Sequence, residues 1–146
     1  MLDAQAIRDK VDAAHVAALL DRAPSFDSFV FSHTPEAFAN WALCEGIKQW
    51  PADPAKRIET VRRLEAQVDV QLASARSRYE KIRAEGIAAL SDYDLVIASG
   101  GDPYGALSTA LLLTRNHCRY YGGIRAALHV MREHAEAETN RQGSLF

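Results

Sequence analysis

Five histidines, two cysteines and one glycine-rich run are the parts of this chain whose residue types could do chemistry. Metal ligands on a helix need steps of three or four residues to share a face. His129 and His134 are five apart, and His117 is adjacent to Cys118, so neither pair converges. His15 and His33 stand alone, and no His-Glu-x-x-His arrangement occurs. No metal and no cofactor is expected. Cys44 lies in Trp-Ala-Leu-Cys-Glu-Gly on an apolar helical face, which points to a packed thiol and not an activated one. There is no Gly-x-Ser-x-Gly elbow, and Asp92 and Asp94 sit at a helix boundary, where capping accounts for them. A non-enzymatic protein is the expectation.

The run "DLVIASGGDPYGAL", residues 94–107, is the one stretch with a ligand-loop character. Its Ser-Gly-Gly-Asp-Pro resembles the Ser-Gly-Asp-Pro loop of the tetrapyrrole methylases, which implies a contact with S-adenosylmethionine. That family needs a large alternating sheet, whereas the chain before Asp92 reads as helix. The glycines also depart from Gly-x-Gly-x-x-Gly, and no P-loop lysine follows. The run reads as a Gly-Gly turn joining two helices. A small-ligand enzyme centred on Ser99–Tyr104 is the distant alternative and requires a cavity at Gly100 and Gly101.

The elements that position these residues are helical. Residues 4–22, with Ile7, Val11, Ala14 and Ala18 at helical spacing, predict a first helix ended by Pro24. Phe26, Phe29 and Phe31 follow in a loop that plugs the end of a bundle. Thr34-Pro35-Glu36 starts a second helix that presents Phe38, Trp41 and Cys44. Asp53-Pro54 starts a long third helix to about Glu85, with Ile58, Val61, Leu64, Val68, Leu72, Ala75, Tyr79 and Ile82 as its apolar stripe. Arg62, Arg63, Glu65, Arg76, Arg78, Glu80 and Lys81 fall on its other side. Gly86 interrupts it, and a shorter helix leads to Gly100-Gly101.

Asp102-Pro103 opens the last helix, whose stripe is Leu107, Leu111, Thr114, Cys118, Tyr121, Leu128 and Met131, with Gly122-Gly123 as a bend or close crossing. The fold expected is all-α: an antiparallel helical bundle over 1–137 with two long amphipathic helices, then a short flexible tail over 138–146.

At 146 residues, 48% hydrophobic and 25% charged, the chain has the length and composition of one globular domain. A net charge of -2 gives no general drive towards nucleic acid or acidic membranes. The longest apolar runs are far too short to span a bilayer, the N-terminus has no signal-peptide pattern, and the two cysteines fit a reducing compartment, so a cytoplasmic protein is expected. Arg62, Arg63, Arg76 and Arg78 form a candidate nucleic-acid face, a weak one because Glu59, Glu65, Asp69, Glu80 and Glu85 interleave with the basic residues.

The final residues, Arg-Gln-Gly-Ser-Leu-Phe, place two large apolar side chains after a polar stretch. Gln142, Ser144, Leu145 and Phe146 resemble the bacterial sliding-clamp-binding motif, whose usual form is Gln, Leu, Ser or Asp, Leu, Phe. Gly143 departs from the leucine common at its position. The resemblance covers five residues and implies a partner, the β sliding clamp, without assigning a family to the domain. A protein of replication, repair or a mobile element follows from it. The alternative is an oligomeric helical scaffold or adaptor that self-associates through its long helices and binds no clamp.

Overall fold

The computed structural model describes residues 3–32, 35–44 and 50–144, of which 35, 37, 39, 43, 44 and 142–144 are described by their backbone. Five α-helices carry the chain: α1 (Ala4–Asp9), α2 (Ala13–Asp21), α3 (Pro35–Cys44), α4 (Pro54–Glu85) and α5 (Pro103–Ser144). No strand occurs among the described residues, and the protein is all-α. No described helix is long and apolar enough to cross a membrane.

Aspartates set most of the helix starts. Asp3, Asp12, Asp53 and Asp102 each accept, through a side-chain oxygen, the backbone N–H two residues on, at 3.0–3.1 Å. These bonds satisfy donors that the first helical turn leaves open. The capping aspartates before Pro54 and Pro103 act as the sequence predicts. Thr34, the third predicted cap, lies outside the described residues.

The single helix expected over 4–22 is instead two. Asp12 caps a new helix, and Lys10 closes α1 by donating its N–H back to Ile7 and Arg8. Ala14 and Ala18 are exposed, and Val16, Leu19 and Leu20 supply the packing in their place. The break re-aims the second half of the segment, so a single 3.6-residue stripe does not describe it.

The chain divides into two compact units: Met1–Phe29 with Ser74–Cys118, and Val30–Ala73 with Arg119–Phe146. Helices α4 and α5 contribute to both. In the first unit the core is Ile82, Ile87, Leu90, Leu95, Ala106 and Leu107, covered by Ile7, Val16, Leu19 and Leu20. Gly86 ends α4 in the left-handed region (φ 62°), and a Cβ there would lie 3.1 Å from Val16 Cγ1. Beyond it the chain runs as a 3-10 turn, Gly86–Ala89, and a π-helical turn, Asp94–Ala98, where an ordinary short helix is expected. Phe29 packs against Tyr79 with centroids 5.3 Å apart, and Arg76 lies over Phe26 at 4.3 Å.

In the second unit Trp41, Val61, Leu64, Val68, Ile124 and Leu128 form the core. Each such side chain is worth about 1.5–3 kcal/mol relative to exposure. The ring of Phe31 occupies the place a side chain at Gly122 would fill: a Cβ there would collide with Phe31 Cδ1. The Gly-Gly pair thus serves a close approach, and α5 continues through it.

Ion pairs fix the antiparallel sense of the two long helices here. Arg57 pairs with Glu138 at 3.3 Å, Arg62 with Glu136 at 3.6 Å, and Asp69 with Arg125 at 2.6 Å, so partner numbers fall along α5 as they rise along α4. Glu65, expected on the polar side of α4, is 5% exposed. Its two carboxylate oxygens accept from Arg125 and from Arg132 Nε, the latter at 2.7 Å. Two guanidiniums from α5 cover it, which is the condition under which a carboxylate enters a core.

Candidate functional site

The C-terminal segment is built on α5. The helix does not give way to a tail at 138 but continues to Ser144, which corrects the expected boundary. Ala135 is the last buried residue among those described, and none of the described side chains after it, Glu136 to Arg141, is buried. The extension is held by helical hydrogen bonding and surface contacts: Thr139 Oγ1 donates to the Ala135 carbonyl at 3.0 Å, and Glu138 meets Arg57. Gln142 and Ser144 belong to the last helical turn, while Leu145 and Phe146 lie outside the described residues.

The four arginines of the candidate nucleic-acid face are placed differently. Arg62 is paired with Glu136, and Arg76 with Asp27 at 3.4 Å and Glu80 at 3.1 Å. Arg63 and Arg78 are exposed and make no ion pair among the described residues. The interleaved acids do neutralise basic residues, but Glu65 and Asp69 do so across to α5 and not along their own helix.

The residues with candidate chemistry have local occupations. Ser99 Oγ donates to the carbonyls of Asp94 and Leu95, both at 3.0 Å, and Asp102 is a helix cap. Gly100 (φ 64°) and Gly101 (φ 86°) take the left-handed backbone that a tight connection between the π-helical turn and α5 requires. Next to Gly101 is a cavity of 480 Å³, lined by Asp3, Ile7, Lys10 and Tyr104. Tyr104 accepts from the Asp12 N–H at 3.0 Å and stacks on His15 with centroids 3.9 Å apart, tying α5 to the start of α2.

His129 pairs with Glu133 at 3.1 Å. No group of three or more His, Cys, Asp or Glu among the described residues is arranged to hold a metal ion. His33 lies outside the described residues, as does the side chain of Cys44.

Two groups titrate away from their ordinary ranges because they are buried. Desolvation raises the Cys118 thiol, with Glu80 adding to it, and desolvation raises the Tyr79 phenol against the opposing field of Arg83 and Arg115. A raised thiol is a poor nucleophile at neutral pH. On unfolding, both groups regain their ordinary values, so above about pH 8.5–10 the unfolded chain releases protons that the folded chain keeps. Stability therefore falls as pH rises through that window. We expect the melting temperature to drop from pH 8 to pH 10.5, and Cys118→Ala to flatten the first part of that drop.

No family model, no curated protein and no solved structure matches this chain.

Proposed function

We propose that this chain is a non-enzymatic helical protein that docks on the bacterial DNA sliding clamp through Gln142, Ser144, Leu145 and Phe146, as an accessory or regulatory factor in replication or repair or as a mobile-element protein. The observation that carries the reading is the match of Gln-x-Ser-Leu-Phe to the clamp-binding motif. The run of α5 past Ala135 supports it, because none of the described side chains there, Glu136 to Arg141, is buried. Leu145 and Phe146 would each contribute about 1.5–3 kcal/mol on entering an apolar cleft. Ordering the segment and immobilising a partner offset much of this. With glycine in place of leucine at 143, the resulting affinity is weak, on the order of micromolar.

Deleting Leu145 and Phe146 abolishes capture by an immobilised clamp while the circular-dichroism melt stays unchanged. Equal capture by the truncated chain would end the proposal.

A second reading, a self-associating helical scaffold, draws on Leu112 and Leu113, adjacent on α5 and about half exposed, at 49% and 53%. It predicts a mass and a melting temperature that rise with protein concentration.

A further inference from the structure

Six arginines in the structure are half-buried: Arg8, Arg57, Arg83, Arg115, Arg125 and Arg132. Four of them reach a carboxylate, respectively Asp92, Glu138, Glu65 with Asp69, and Glu65 with Glu136. Arg83 and Arg115 do not pair among the described residues, and they are also the two whose Nε is buried with no hydrogen-bond partner. A guanidinium is always charged, and taking it from water without a counter-charge is costly. Of the two, Arg115 stands in a place that calls for an acceptor from outside the chain.

That place is a cavity of 240 Å³ in the first unit, between the end of α2 and α5. Arg115 lines it together with Arg22, Ser108 and Tyr79, and no carboxylate among the described residues does. Arg22 is exposed and makes no ion pair among the described residues. The Tyr79 hydroxyl is occupied, donating to the Pro24 carbonyl at 2.5 Å. The remaining surface is apolar, with Leu19, Leu111 and Leu112 prominent.

We propose that this cavity binds a small organic anion, with a carboxylate or phosphate head against Arg115 and Arg22 and a short apolar body against Leu111 and Leu112. The guanidinium offers paired N–H donors at the spacing of the two oxygens of a carboxylate or phosphate. Ser108 supplies a further hydroxyl. The site is separate from the clamp-docking residues, so the two proposals stand or fall independently.

Calorimetric titration of the full chain at fixed ionic strength tests it, with phenyl phosphate in one arm and hexanoate in the other. Saturable one-to-one binding is expected for at least one probe, tighter than for inorganic phosphate, and the arm that binds identifies the head group. Arg115→Gln and Arg22→Gln each weaken it about tenfold or more, which corresponds to losing one charge-assisted contact. Arg63→Gln leaves it unchanged. Arg22 is exposed, so Arg22→Gln remains informative if Arg115→Gln fails to fold. No saturable binding by either probe, or undiminished binding by Arg22→Gln, overturns the proposal.

Discussion

Replacing Glu65 by alanine is expected to destabilise the protein by about 3–5 kcal/mol, the range for breaking a buried ion pair from one side. The carboxylate is 5% exposed and accepts from both Arg125 and Arg132. Each arginine keeps one outer partner, Asp69 for Arg125 and Glu136 for Arg132, and those carboxylates are half or more than a third exposed. Solvent screens such pairs, so they recover little of the loss. Two guanidiniums brought together by Glu65 then face each other with no charge between them.

Glu65→Gln keeps the shape and loses the charge, so it separates the electrostatic share from packing and should lie between wild type and alanine. Urea denaturation read by circular dichroism measures both. A Glu65→Ala chain within about 0.5 kcal/mol of wild type, the usual range for a surface substitution, would show that the network carries no stability.

Periodicity made the two long stripes legible. All eight residues of the α4 stripe and all seven of the α5 stripe are buried or half-buried. This works because both helices keep one face inward over many turns, so a 3.6-residue pattern accumulates. The Asp-Pro starts were legible for a local reason, since capping depends on two or three adjacent residues.

What pattern could not reveal depends on contacts distant in sequence. Glu65 reads as a surface acid until Arg125 and Arg132, 60 and 67 residues away, are seen to cover it. The break at Lys10–Asp12 has a signal, a second Asp followed by an alanine-rich run, but a continuous apolar spacing masks it. Gly122 shows its purpose only once Phe31 is found against it. The Arg115 cavity left no trace in the sequence, because an arginine without a partner is defined by acids that are missing in space. The docking motif is the opposite case: it is a short linear signal, legible in five residues and independent of the fold.

Leucines on α5 provide the second large effect and a control six residues along the same helix. Leu107→Ala is expected to cost about 2–5 kcal/mol, because Leu107 is 0% exposed and packed among Ile82, Leu90 and Leu95. Its neighbours belong to three different segments of the chain, so they have little freedom to collapse into the space, and the cavity term adds to the lost transfer energy. Leu113→Ala removes the same atoms from a side chain that is 53% exposed. It should change stability by less than about 1 kcal/mol, since half of its surface already faces water. At about 2–4 °C in Tm per kcal/mol for a chain of this size, the pair separates clearly in a thermal melt. Helix propensity is common to both substitutions, so the difference between them reports burial alone. Equal losses for the two would mean that the face of α5 carrying Leu107 is not the one turned to the core.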